Sequence, residues 1–310
     1  MPAHRPRTAG RATASRIGCA ALTSLALLVG LVGGVVWFLE ERSPTAASQR
    51  CTATLDGTEW GLSVEQADNA ALIVAMSVDR GLPARAATIA LATALQESKL
   101  INIDYGDRDS VGLFQQRTSQ GWGTVEQIMD PVYSTGKFYD SLVAVPGYTE
   151  LEITEAAQAV QRSAYPDAYA QHEVRARAWA SALTGWSPGT LTCDLGDPDA
   201  TGTVEEVADR VTRDFGDSVT ATADADRSSD EGLAVRLVTD WAAVDGDTSR
   251  SAWAAAQWAV AVADSLQVIE VEVEGSRWQR DAGADGADVW QSDALTTAVP
   301  AGEVVLVLAP

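Results

Sequence analysis

Residues 63–100 read SVEQADNAALIVAMSVDRGLPARAATIALATALQESKL, and this stretch predicts two consecutive helices. Ser63 followed three residues later by Gln66 is a capping-box start, in which each side chain bonds a free backbone amide at the other residue. Apolar Ala70, Ile73 and Val78 then recur before a stop at Gly81. Pro83, with its fixed φ, suits a helix entry, and the second helix runs from Ala84 to about Leu100. Outward from there, a polar loop dense in Asp and Gly occupies 101–110. Pro131 opens a helix through Leu142, Thr154 caps another, and Pro166 begins a last one reaching Leu183. No alternating strand pattern interrupts the series, so residues 60–193 are expected to form an all-α domain.

Residues 40–59 read as a linker before that domain. A second linker, 194–202, lies within the acidic, Gly- and Pro-containing DLGDPDATGT. Residues 203–310 mix two periods. Val219, Ala221 and Ala223 alternate with Thr, and Leu233, Val235 and Leu237 alternate as well. Ile269, Val271 and Val273 oppose Glu270, Glu272 and Glu274. Val304–Leu308 is a continuous apolar run, as in a buried strand. With helices at 203–215 and 250–266, this segment reads as a small α+β domain. It shows no catalytic constellation, which makes it a binding or spacer module and a candidate contact for another envelope protein.

Ile17–Leu39 (IGCAALTSLALLVGLVGGVVWFL) is an uncharged run of 23 residues. At about 1.5 Å per residue it crosses a hydrocarbon core of roughly 30 Å. Arg5, Arg7, Arg11 and Arg16 make residues 1–16 a basic tail, whereas Glu40 and Glu41 follow the run. That bias leaves the N-terminus in the cytoplasm and the rest of the chain outside, anchored by one span. The rival reading is a cleaved signal peptide cut within Thr45–Ser48. A signal peptide, however, has a shorter apolar region with small residues at its end, where this run ends in Trp37, Phe38 and Leu39. Cys19 acts within the run as a small apolar residue. Cys51 and Cys193 fall outside, where disulfides persist, and bracket one stretch with no other cysteine between them. One Cys51–Cys193 bridge is expected. In the chain-entropy model so long a loop contributes on the order of 4–5 kcal/mol.

The net charge of −21 divides as +4 over residues 1–50, −9 over 51–195 and −16 over 196–310. Acidity on this scale keeps the outer part soluble and excludes nucleic acid, whose phosphates need Lys and Arg. The two histidines are His4, in the basic tail, and His172. A serine or cysteine protease triad, a His-rich zinc site and a histidine general base are thereby excluded. No glycine loop followed by Lys cradles a phosphate. No metal or other cofactor is expected, and carboxylate chemistry remains. Glu97 closes a helix otherwise built of Ala, Leu, Ile and Thr. The negative helix end and apolar neighbours both raise a carboxyl pKa, as a general acid working near neutral pH requires. The plain alternative is a solvated helix-end Glu beside Lys99.

Past Glu97-Ser98, the chain continues with DYGDRDSVGLFQQR, then QGWGT, then TEAAQAVQRSAYPDAYAQHE. This order resembles the lysozyme-like superfamily of lytic transglycosylases and goose-type lysozymes, and more closely still actinobacterial envelope proteins of that type. The resemblance covers roughly residues 60–190. Glu97-Ser98 matches the family's helix-ending Glu-Ser, and Gly112-Leu113-Phe114-Gln115 matches its Gly-Leu-Met-Gln with Phe for Met. Ala159-Val160-Gln161-Arg162-Ser163 departs from the Ala-Tyr-Asn-Ala-Gly expected third.

The resemblance implies a lysozyme-like fold acting on peptidoglycan glycan strands, cut between N-acetylmuramic acid and N-acetylglucosamine. Glu97 would be the single acid and base. Ser98 and Gln115 match positions that orient the acid and the sugar amide, and Gln161 stands where the family has Asn. Trp122, between glycines, and Tyr165 are candidates for sugar-stacking walls. Asp104, Asp107 and Asp109 have three readings: turn formers, water holders for simple hydrolysis, or calcium ligands that lack the later Gly and bidentate Glu of a loop site. A transglycosylase needs no second carboxylate, whereas an inverting hydrolase needs one roughly 6.5–9.5 Å from the acid. The competing function is a catalytically silent domain that binds peptidoglycan and scaffolds an envelope or secretion complex.

Overall fold

Asp56 and Gly57 both take positive φ, as a two-residue hairpin turn requires, and they join β1 (Arg50–Leu55) to β2 (Thr58–Ser63). The computed structural model describes residues 49–163, 165, 167–229, 232–240, 247–280, 290–292 and 298–310. The basic tail 1–16, the apolar run 17–39 and residues 40–48 lie outside the described residues. Among those described, no helix is long and apolar enough to cross a membrane.

Beyond the hairpin come α1 (Val64–Asp79) and α2 (Ala84–Ser98), a short hairpin of β3 (Ser110–Val111) and β4 (Gln116–Arg117), then α3 (Val125–Met129), α4 (Pro131–Val143), α5 (Ile153–Gln161) and α6 (Glu173–Leu183). Ser63 caps α1 in a complete capping box with Gln66. Asp130, with Pro131 at the first turn, caps α4. The α5 cap is Glu152 paired with Glu155 rather than Thr154. The helix expected from Pro166, itself outside the described residues, begins at Glu173 after a 3₁₀ turn at Ala170–His172.

The all-α expectation, and with it the all-α lysozyme-like domain, is overturned. The architecture is mixed α/β, with eight α-helices and three sheets among the described residues. One sheet, ordered β2-β1-β5 with β5 at Leu191–Asp194, brings the two ends of the helical region together. Cys51 and Cys193 sit directly opposite each other in it and form the disulfide. Residues 50–59, read from sequence as linker, form β1, the Asp56-Gly57 turn and the start of β2. The reason is range: β1 finds β5 through a sequence separation of 142 residues, and four inward or outward positions make too short a pattern to outweigh the helices.

Residues 203–310 supply α7 (Val204–Phe215), β6 (Val219–Ala223), β7 (Leu233–Thr239), α8 (Thr248–Ala261), β8 (Val268–Val273), β9 (Ser276–Gln279), β10 (Trp290–Ser292) and β11 (Glu303–Leu308). The strands form one antiparallel sheet, ordered β10-β9-β8-β11-β7-β6. Helix α8 packs on this sheet and also against α1, α6 and β5, and every residue from Ser251 to Ala261 is buried. A helix with no wet face needs small side chains, which Ala252, Ala254, Ala255, Ala256 and Ala259 provide. Residues 49–310 accordingly form one unit with a continuous core. Even 194–202 is held down: Leu195 is buried, Arg280 bonds the Gly196 carbonyl, and the Gly202 amide donates to Ala309.

Two polar clusters fix this packing. Gln257, fully buried on α8, accepts from the amides of Thr190 and Leu191 at 2.9 Å and donates to the carbonyls of Ala182 (2.7 Å) and Ser187 (3.1 Å). Arg210 on α7 makes a two-pronged contact with Asp68 of α1, both bonds 2.9 Å, and a third bond to Asp214. Asp214 in turn accepts from Arg213 and from the indole of Trp258 on α8. Gln257→Leu should lower unfolding free energy by about 2–4 kcal/mol, because it strands the amides of Thr190 and Leu191, whereas the Ala182 and Ser187 carbonyls keep the Gly185 amide and the Thr190 hydroxyl. Urea denaturation checks this; a loss under about 1 kcal/mol would mean that the turn re-pairs without the amide.

Candidate active site

Helix α2 ends in strain. Lys99 and Leu100, neither glycine, both take left-handed backbone, φ 59° and 61°. Each such residue costs roughly 1–2 kcal/mol, so other bonds must hold the turn. They come from α1: Gln66 donates to the Lys99 carbonyl at 2.6 Å and Asn69 to the Leu100 carbonyl at 2.9 Å. Of the eight non-glycine residues with positive φ among the described residues, three more, Arg108, Gln115 and Arg162, lie in the loop after α2, the 112–115 turn and the end of α5. Concentrated backbone strain of this kind is a mark of sites held in one geometry.

Glu97 sits on the last turn of α2 and is half-buried. Burial raises its pKa; the Tyr169 hydroxyl, which donates to Oε1 at 2.7 Å, works in the opposite direction and is the lesser effect. The carboxyl therefore holds its proton to higher pH than a free Glu while Tyr169 fixes its orientation. Tyr169 is fully buried, and its own hydroxyl is pushed up, first by burial and then by the Glu97 charge. The segment carrying it is tied to α2 through Gln96, whose Oε1 accepts from Gln171 and meets His172 Nε2 at 3.1 Å.

The sequence candidates Ser98, Gln115 and Gln161 converge on one turn, residues 112–115. Ser98, buried, donates to the Leu113 carbonyl at 2.7 Å. Gln161 donates to the next carbonyl, Phe114, at 2.9 Å. Gln115 donates to the Tyr105 carbonyl at 3.2 Å. Ser98 and Gln161 thus act by placing the turn against α2 and α5. Two glycines are needed here. Gly112 has φ +79°, and a Cβ on it would lie 2.8 Å from the Ile128 carbonyl; a Cβ on Gly106 would overlap the Gln115 amide.

The three loop aspartates separate. Asp109 accepts from the Ser119 amide at 2.8 Å, from the Arg117 guanidinium at 2.8 Å and from the Ser119 hydroxyl, and these bonds hold its pKa far below the usual carboxylate range. Its lone pairs are taken up in bracing the β3–β4 hairpin. Asp104 and Asp107 are exposed. Among the described residues, no three His, Cys, Asp or Glu side chains gather as a metal site.

Trp122 and Gln161 line a cleft of about 690 Å³ together with Val145, Val160, Lys137 and Arg162. Trp122 is set by the Tyr133 hydroxyl, which donates to its carbonyl at 3.1 Å. Glu97 is not in the lining, and Gln161 links the two places by bonding the turn that Ser98 also holds. Tyr165 is largely exposed and outside the lining. Reasoning from sequence did not find Tyr169, Gln96, Lys137 or Arg162; the contact between Tyr169 and Glu97 spans 72 residues and has no local signature.

No family model matches the chain, and no curated protein sequence matches it.

Because its folded pKa is raised, Glu97 binds more protons in the folded than in the unfolded chain above the ordinary carboxylate range. It therefore lowers stability as pH rises through that window. Glu97→Gln should melt higher than wild type at pH 7, with the gap closing as pH falls to about 4. Tyr169→Phe removes the donor that favours the carboxylate, so it should move the Glu97 titration to still higher pH, as followed by ¹³C NMR of the carboxyl. A downward move would mean that Tyr169 does not hold this carboxyl.

Proposed function

We propose that the chain is a peptidoglycan-cleaving enzyme, a lytic transglycosylase in which Glu97 is the single acid and base. The observation that carries the proposal is a half-buried carboxyl with a raised pKa, oriented by a buried tyrosine, at a strained helix end against the turn held by Ser98 and Gln161. Protonated Glu97 gives its proton to the glycosidic oxygen as the bond from C1 of N-acetylmuramic acid breaks. The carboxylate left behind takes the proton of the sugar's 6-hydroxyl, whose oxygen bonds C1 and closes a 1,6-anhydro ring. Burial favours the proton-loaded start, and the Tyr169 hydroxyl steadies the carboxylate in the second half. No water enters. The bracing role of Asp109 favours this route over hydrolysis, which needs a second carboxylate free to activate water.

The place of action proposed is the outer side of the cell membrane, with a single N-terminal span. The Cys51–Cys193 disulfide supports an oxidising compartment, and the uncharged run 17–39 with its flanking arginines supports the anchor. One observation favours the second reading, a silent peptidoglycan-binding scaffold: the large cleft is lined by Trp122 and Gln161 but not by Glu97.

Digests of purified glycan strands should contain 1,6-anhydromuramyl ends, lighter than hydrolysed ends by one water. Glu97→Gln should lower cleavage at least about 100-fold while leaving strand binding largely intact. Reducing ends, with Asp104→Asn or Asp107→Asn as damaging as Glu97→Gln, would mean hydrolysis. Binding without cleavage by the wild type would establish the scaffold. For the anchor, a reporter active only outside the cytoplasm should work when fused after Pro310 and stay silent when fused before Ile17; the reverse pattern would overturn the topology.

A further inference from the structure

The cleft beside Trp122 has the opposite charge to the chain around it. Its lining contains two cations, Lys137 and Arg162, and no carboxylate, in a chain of 43 acidic and 22 basic residues. Other arginines of the helical region are paired with acids: Arg80 with Asp140, Arg117 with Asp109 and Arg177 with Glu173. Among the described residues, neither Lys137 nor Arg162 is in an ion pair. In a protein with so many acids, two neighbouring cations left without acids in a concave site focus a positive field there.

Both are placed by the same elements that place the neutral groups of the cleft. The Lys137 ammonium lies 5.5 Å from the centre of the Tyr133 ring, whose hydroxyl bonds the Trp122 carbonyl. One tyrosine thus carries the cation on its ring and holds the Trp122 backbone through its hydroxyl. Arg162 ends α5 in left-handed backbone, φ 52°, next to Gln161. The cleft therefore offers an indole face, an apolar floor at Val145 and Val160, the Gln161 amide and two positive charges, within the size range of a small-ligand site.

We infer that this cleft binds a carboxylate-bearing saccharide. Resting on the function proposed above, that ligand is a glycan strand still carrying its acidic peptide side chains, and Lys137 and Arg162 select such strands over uncharged sugar chains. Trp122 takes a sugar face, and the two cations take the carboxylates.

The test uses the full chain in detergent with Glu97→Gln, so that nothing is cut during titration. The two probes are soluble peptide-bearing strand fragments and an uncharged N-acetylglucosamine oligomer of equal length. The peptide-bearing fragment should bind about tenfold tighter, and the preference should fade as salt rises. Lys137→Gln with Arg162→Gln should erase the preference, bringing the fragment to the affinity of the uncharged oligomer. Lys137→Arg with Arg162→Lys should keep most of it, which separates charge from fold. Equal affinity for the two probes, an equal fall for both in the double variant, or no binding of either would overturn the inference. Strand cleavage by the wild type is scored separately. A preference without cleavage sinks only the enzyme reading, and cleavage without a preference sinks only this one.

Discussion

The side-chain amide of Gln257 has one place to be. It is fully buried, its oxygen takes the amides of Thr190 and Leu191, and its nitrogen supplies the carbonyls of Ala182 and Ser187. Those four backbone groups run from the last turn of α6 to the first residue of β5, and the amide belongs to the helix lying on the six-stranded sheet. With unmade bonds costing about 1–3 kcal/mol per buried group, the turn and α8 cannot separate without a large loss. β5 then pairs with β1 and carries Cys193 to Cys51, so the same clamp sets the ends of the helical region.

What lies downstream of that closure is a chain of placed groups. α6 packs against α2, and the segment just before α6 delivers Tyr169 to Glu97. Opposing effects meet in this one carboxyl. Burial favours its neutral form and the tyrosine hydroxyl its charged form, with burial the larger. A general acid that must also act as a base needs both forms within reach, which neither a fully exposed nor an unpartnered buried Glu provides. The left-handed residues at 99, 100, 115 and 162 store local strain, and bonds from Gln66, Asn69, Ser98 and Gln161 hold the same segments in place.

Charge is organised on the same principle. The loop aspartates divide into one bracing residue and two exposed ones. Against that background, the two cations of the Trp122 cleft gain meaning from their setting. Among the described residues neither has an acidic partner, unlike the arginines at 80, 117 and 177.

Some of this was legible in the residues. Ser63 with Gln66 marked a helix start, because capping is a three-residue contact. The two cysteines beyond the apolar run pair with each other, and Glu97 was placed at a helix end by the run preceding it. The Asp56-Gly57 turn is equally local, since Asp-Gly between two short strands is a strong hairpin signal. The rest was not local. The sheet of β1, β2 and β5, the union of residues 203–310 with the helices, and the choice of Tyr169 over Tyr165 all depend on groups tens to hundreds of residues apart. By itself the sequence determined the Ser63–Gln66 cap, the strand periods of residues 203–310 and the covalent bridge, whose partners are close in sequence or are the two cysteines beyond the apolar run. Only the tertiary structure decided which buried polar groups meet, because that follows from satisfying every hydrogen bond in one shared core.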